Sequence, residues 1–259
     1  MRADGLTALS YRLQTISMLG GLVVTIVPLY FVARALQPVM TRAIATEGQQ
    51  YFGFLVVGII AFFLLTTSVS ALPDAIRAGI TRGTLEALLA TPTPLPVLFI
   101  GMIGFPLLWT IVRGAIMLVS AWVLGAHVAW DRGVPALGIL VLIAVAHLPF
   151  AILSASVIIA FKAAGPFSQG VLTVSALLGG VYYPTHVIPA WLHAISAVLP
   201  LTYGLRALRR TLLERASFGT VAPDVAILAG FALVLLAVSL LAFSWALRYA
   251  RRAGTLAQY

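Results

Sequence analysis

Between Lys162 and Arg206 the chain runs 43 residues without one charged side chain. About 20 apolar residues suffice for one membrane helix, so this run is too long for a single crossing, and Pro184, Pro189 and Pro200 punctuate its second half. A full helix followed by a broken, partly inserted hairpin fits such a stretch. Irregular backbone is tolerated at membrane depth only where protein or a watery cavity shields its polar groups. The pattern therefore points to a pathway through the membrane.

Composition agrees. The chain is 61% hydrophobic and 9% charged, where soluble domains carry about 25% charged residues, and its mean hydropathy is +1.07. A soluble fold is excluded, and no stretch between apolar runs is long enough to build a core of its own. The net charge of +9 is almost entirely arginine, with Lys162 the only lysine. The arginines stand at the ends of apolar runs, where anionic headgroups lie. They form no dense patch with interleaved aromatics, so a nucleic-acid partner is not expected. The absence of cysteine rules out disulfides, thiolate ligands and a cysteine nucleophile.

Charge-free runs predict an all-α polytopic membrane protein, a single transmembrane domain over 1–259 with six spans at about 13–33, 48–73, 97–124, 135–161, 167–183 and 225–247. The first run is longer than the 7–15 residues or so of a signal-peptide core and reads as a retained span. Ahead of it, Leu6, Leu9 and Leu13 at helical spacing predict an N-terminal helix lying along the headgroups. Six spans put both termini on one side. Lysine and arginine bias should say which side, but eight of the cations fall on one side and seven on the other, with Arg113 inside a span.

The polar segment 74–92 is the most informative connection. Leu85, Leu88 and Leu89 fall at i, i+3 and i+4, with Glu86 off the stripe and Pro92 stopping the helix. A short amphipathic helix of this kind can lie on headgroups or dock in a partner's groove.

From Arg82 through Gly83-Thr84-Leu85-Glu86-Ala87-Leu88-Leu89-Ala90-Thr91 to Pro92, the chain resembles the segment between spans two and three of ABC-2 type exporter permeases. A second stretch is similar to the outer re-entrant hairpin of that family: Tyr183-Pro184, Ile188-Pro189-Ala190-Trp191-Leu192, and Leu199-Pro200-Leu201-Thr202-Tyr203-Gly204-Leu205-Arg206. Many members carry Asn where this chain has Leu199. The resemblance implies a coupling helix held in a cleft of an ATPase subunit, with Arg82, Thr84, Leu85, Glu86, Leu88 and Leu89 as its anchors. It also implies an outer re-entrant segment over 184–220, with Tyr182, Tyr183, Pro184, Pro189, Trp191, Pro200 and Tyr203 at a gate. The termini would be cytoplasmic, in a bacterial inner (plasma) membrane, and two membrane subunits, expected as a homodimer among membrane lipids, would pair with two ATPase subunits. The chain carries no G-x-x-x-x-G-K-[ST] loop. No cofactor and no catalysis are therefore expected of this chain itself, and ATP and Mg belong to the partner. Family cargoes include drugs, lipids, lipid-linked glycans and polysaccharide; sparse charge along the spans favours an amphipathic or lipid-like one.

Arg113, well inside the third run, is a candidate for the translocation path, since an intramembrane charge is costly; a structural arginine is the alternative. His147, beside Pro149, is either a protonation switch or a hydrogen-bonded interior histidine. Ser168, Gln169, Thr173 and Ser175, with Thr66, Thr67, Ser68 and Ser70, either line a path or bond between helices. Tyr182, Tyr183, His186, Trp191 and His193 suit an interfacial aromatic belt, and the two histidines lack further ligands for a metal. Arg206, Arg209 and Arg210 cluster just before Glu214 and Arg215. Arg206 and Arg210 share a helix face with Glu214, which predicts ion pairing along a helix at the outer surface or attraction of acidic lipid or substrate. A secondary transporter or channel is the alternative function. However, all the acids (Asp4, Glu47, Asp74, Glu86, Asp131, Glu214 and Asp224) fall at span ends or in loops, where intramembrane carboxylates would be needed. An intramembrane enzyme lacks its motifs.

Overall fold

Segments that are apolar on every side bury well only in lipid or protein, and in lipid they must satisfy their backbone internally. The computed structural model describes residues 12–44, 50–84, 95–161 and 165–252, and every regular element among them is helical. These are α1 (Arg12–Met40), α2 (Tyr51–Thr81), α3 (Leu95–Val123), α4 (Gly133–Phe161), α5 (Gly165–Leu178), α6 (Ala190–Ala197), α7 (Pro200–Leu213) and α8 (Phe218–Arg252). Short 3-10 turns stand at Trp130–Arg132 and Thr185–Val187.

Five stretches among the described residues are long and apolar enough to cross a bilayer: Gly20–Met40, Tyr51–Gly79, Val97–Val123, Trp130–Ile158 and Phe218–Ala246. The fifth apolar run, expected as a full span over 167–183, instead forms the 14-residue α5. At 1.5 Å per residue it is about 21 Å long, short of a hydrocarbon core of about 30 Å. Gly180, with φ +87, takes the left-handed conformation in the turn that follows it. The connection after span two also differs from expectation, because residues 74–81 continue α2 instead of leaving the bundle. Ile76 explains this, being buried with Leu72, Ile103 and Ile158 in an apolar cluster at that end.

α2 is the central element. It packs against α1, α3, α4, α5 and α7, and 78% of its span is buried, against 18% for α1. Leu64 and Leu65 of α2 meet Leu201, Leu205 and Leu208 of α7 and Leu228 of α8 in the main core. Phe54 and Ile60 join Ile26 of α1 and Met117 of α3 in a second cluster. Large apolar side chains such as Phe31, Leu233 and Leu241 remain exposed on the outer ring, as expected where lipid or another subunit is the solvent.

Most hydroxyls of the spans are spent within the bundle. Thr66 and Ser68 donate to the carbonyls of Phe62 and Leu64. Thr67 meets Thr110 of α3 at 2.8 Å, and Ser154 of α4 meets Ser168 of α5 at 2.8 Å. For these residues the structure shows helix–helix and backbone bonding.

Candidate functional site

The chain leaves α5 through a turn whose geometry is set by small residues and by tyrosine hydroxyls reaching back. The Tyr183 hydroxyl donates to the Leu177 carbonyl, fastening the turn to the helix it has just left. Tyr51, at the start of α2, donates its hydroxyl to the Tyr182 carbonyl at 2.9 Å. Pro184 is buried and extended, and Pro189 precedes α6. On that short helix Trp191 is 74% exposed.

Pro200 opens α7, where its fixed φ suits a first helical turn. The corner between α6 and α7 is held by two bonds, Tyr203 Oη to the Ala197 carbonyl and Thr202 Oγ1 to the Ser196 carbonyl, both 2.9 Å. From there α7 is built into the bundle, packed on α8, α4 and α2. At Gly204 a Cβ would come within 2.5 Å of Ile143 on α4, so only glycine permits this approach. At the far end the Leu212 carbonyl accepts from the Ala129 amide, 2.8 Å away.

The centre of the arrangement is Arg209, which is 1% exposed. Its guanidinium carbon lies 3.3 Å from the centre of the Phe54 ring. Its Nη2 donates to the carbonyls of Phe54 at 3.2 Å and Val181 at 3.0 Å. One cation thus joins α7, α2 and the turn after α5, its charge met by a ring face and carbonyl dipoles. Gly58 makes the joint possible, since a Cβ there would run into the Val181 carbonyl and come within 2.8 Å of Arg209 Nη2.

A second ionic group lies one turn away. Asp224 of α8 is buried and accepts from Arg206, whose Nε is 2.9 Å from each carboxylate oxygen and whose Nη2 also bonds Oδ1. Arg210 stands 3.6 Å from Oδ2. The expected face-sharing of Arg206 and Arg210 is present, but the carboxylate on which both converge is Asp224 on the neighbouring helix. Arg206 also lies over the Tyr203 ring, 5.3 Å from its centre.

Among the expected gate residues, Tyr182, Tyr183, Pro184, Pro189, Trp191, Pro200 and Tyr203 all lie along the turn and the α6–α7 corner. Arg113 stands apart on α3, its guanidinium 5.8 Å from the Phe63 ring of α2, and its Nε has no hydrogen-bond partner among the described residues. His147 is fully buried, with Nδ1 2.7 Å from the Ile143 carbonyl. Arg82 and Thr84 cap the exposed end of α2. Thr84 N bonds the Gly79 carbonyl, Arg82 N bonds that of Ala78, and Gly83 has φ +66. Leu85, Glu86, Leu88 and Leu89 lie outside the described residues, as does most of the expected N-terminal interfacial helix. An apolar cavity of about 240 Å³ opens between α2, α3, α4 and α7, lined by residues including Ile60, Leu118, Leu140 and Leu208.

Sequence reasoning placed Arg209 in a basic cluster with Arg206 and Arg210 at the outer surface, and missed both its burial against Phe54 and the role of Gly58. A signal for Arg209 was present, because it falls four residues after Leu205 and three before Leu212, on the apolar stripe of α7. No signal marked Gly58.

Five helices long and apolar enough to cross a bilayer, with a helical hairpin packed among them, define a multi-pass membrane protein. The model of the ABC-2 type transporter family matches residues 10–213, and the chain belongs to that family. It is accordingly a permease component of an ABC transporter, a transport part and not itself a catalyst. The match ends at the last residue of α7, so α8 lies beyond it. No curated protein matches the chain.

Proposed function

We propose that this chain is the membrane-spanning permease of an ATP-driven exporter, working as a pair of identical subunits with two copies of a separate ATPase that binds ATP and Mg. The observation that carries this reading is the α6–α7 hairpin turned back into the bundle and tied to central helix α2 through Arg209. In this reading α5 and the turn after it serve as a sixth crossing. Residues 184–220 form the outer re-entrant gate, and Tyr182, Tyr183, Pro184, Pro189, Trp191, Pro200 and Tyr203 shape its mouth. Arg113 lines the path on the side of α3.

Residues 74–92, which begin in the last two turns of α2, are the coupling segment. Arg82, Thr84 and Glu86 are its polar anchors in the ATPase cleft, and Leu85, Leu88 and Leu89 the apolar ones. ATPase closure pushes on this segment, and α2 and α3 carry the push to the gate and to the seam between the two permeases. The termini and coupling segment are cytoplasmic, the membrane is a bacterial inner membrane, and the cargo is an amphipathic, lipid-like, drug or glycan molecule. Support comes from the family membership, from the continuous α2 that ends at Thr81, and from the apolar faces left open on α1 and α8.

The test is copurification of the tagged chain from its native host in mild detergent, with an ATPase assay on the eluate. A copurifying ATP-binding subunit that is lost on Leu88→Asp is expected. A lone, ATPase-free oligomer overturns the reading.

A further inference from the structure

A cavity of about 510 Å³ with a mixed polar and apolar wall lies where α1 ends, α2 begins and α3 ends, sharing only α2 with the Arg209 joint; its wall includes Tyr30, Arg34, Gln37, Gln50, Phe52 and Gly125. Its two glutamines are held in known orientations. Gln37 Oε1 accepts from the Tyr51 amide at 2.7 Å, and Gln50 Oε1 accepts from the His127 amide at 3.0 Å. Only the oxygen of a carboxamide can accept, so each backbone N–H settles which way its glutamine points. The hydrogens of Gln50 Nε2 are therefore on the side turned from His127. Gln37 Nε2 donates to Thr41 Oγ1 at 3.2 Å.

Arg34 completes the wall. Its Nη1 donates to Tyr30 Oη at 3.1 Å, one helical turn earlier, which lays the guanidinium along the cavity. The Tyr30 ring meets Phe52 edge-on at 5.2 Å and gives a stiff apolar floor. Among the described residues no carboxylate lines the cavity. At the rim Gly125 has φ +95, and the space its Cβ would take holds no atom within 4 Å.

A cavity whose polar side chains offer N–H donors and a cation, with their oxygens turned to backbone amides, suits a ligand that brings only acceptors and negative charge. Guanidinium and amide donors converging on an oxyanion make charge-assisted bonds, the stronger kind. We propose that this cavity binds a phosphate-type oxyanion, carried by a lipid headgroup or by a soluble phosphorylated solute, with Arg34 and the Gln50 carboxamide as donors. The inference stands in either orientation of the chain, because both leaflets present headgroup phosphates. It does not depend on the exporter reading.

Gln50→Glu separates binding from architecture. The carboxylate keeps an oxygen for the His127 amide but replaces the donor group with a second acceptor and a negative charge. Arg34→Gln removes the cation at an exposed position. The full chain, purified in detergent, is titrated with phosphatidylglycerol and followed by native mass spectrometry. In parallel it is titrated with inorganic phosphate and followed by its thermal midpoint. Each variant is expected to weaken binding of the responding probe about tenfold or more, as loss of one charge-assisted bond implies, while Gln50→Glu leaves the ligand-free midpoint in place. A response to phosphatidylglycerol alone identifies a lipid headgroup, and a response to inorganic phosphate identifies a soluble ligand. Binding of neither probe by the unaltered chain, or equal binding by the chain and both variants, overturns the proposal.

Discussion

Arg209 of α7 stacks on Phe54 of α2 with its guanidinium carbon 3.3 Å from the ring centre, and the same side chain bonds the carbonyl of that phenylalanine. A ring and a carbonyl of one residue thus hold a cation from a helix 155 positions away. Lysine cannot reproduce this, because it has no planar face to stack and no fork to span two carbonyls. Arg209→Ala is expected to cost about 3–5 kcal/mol, through the lost bonds, the emptied volume and the orphaned Val181 carbonyl. Arg209→Lys should recover only a minor part. Equilibrium unfolding in mixed detergent micelles measures both, and a loss under about 1 kcal/mol for the alanine variant would show that the tie is dispensable.

Gly58 and Gly53 offer a matched pair on one helix. A Cβ at Gly58 meets the Val181 carbonyl and the guanidinium of Arg209, whereas one at Gly53 lies 3.2 Å from Leu213 Cδ2, the end of a flexible side chain. Gly58→Ala is expected to destabilise by about 1–3 kcal/mol, as overpacking against backbone does. Gly53→Ala should change stability by less than about 1 kcal/mol, since leucine can move and alanine suits a helix better. Thermal midpoints of the two variants in one detergent check the ordering.

Asp224 is buried between two arginines that are themselves partly exposed, at 35% and 29%. Partial exposure lets water screen the cations and lowers what the group contributes. A double-mutant cycle of Arg206→Ala with Asp224→Ala should give a coupling of about 1–3 kcal/mol. The cycle with Arg210→Ala should give less, in keeping with its 3.6 Å separation and single contact. Equal couplings would mean that the carboxylate is shared evenly.

Arg113 touches the Phe63 ring at 5.8 Å, and its Nε finds no hydrogen-bond acceptor among the described residues. Arg113→Met should therefore change stability by no more than about 1 kcal/mol, the scale of a cation–π contact at a partly exposed site. Transport by the assembled complex should fall all the same, if the cation faces the path. A stability loss of several kcal/mol would instead make it an anchor of the α2–α3 pair.

Much of this architecture was legible in the chain. Long charge-free runs announce their own helices because lipid admits almost nothing else, and Pro184, Pro189 and Pro200 marked where the regular helix would break. The length of α5 was not legible, because apolar composition continues through Gly179-Gly180-Val181 after the helix has stopped, so charge alone could not place its end. The extension of α2 past Asp74 was hidden for the opposite reason. A polar residue ended the apolar run, while Ile76 kept the helix packed for two further turns. Of the arginine group, the pairing along one helix face was readable by spacing, but the partner came from α8, and only the fold brings Asp224 to Arg206. The glycine approaches at Gly58 and Gly204 depend on which helices become neighbours, which no local pattern states.

The continuity of α2 has a mechanical consequence. Its 31 residues form a rod about 45 Å long, gripped near one end by Arg209 at Phe54, packed toward the other through Leu72 and Ile76, and exposed just past its last turn, at Arg82 and Thr84. A rod gripped at several points transmits rather than swings: a push at its exposed end passes first into α3 and α4, through Ile76 against Ile103 and Ile158, and then along the helix to α7 at the Arg209 grip. Pro73, the proline inside the helix, lies eight residues before its end at Thr81, so the stiff stretch runs from Tyr51 to Leu72 and any bending concentrates beyond it.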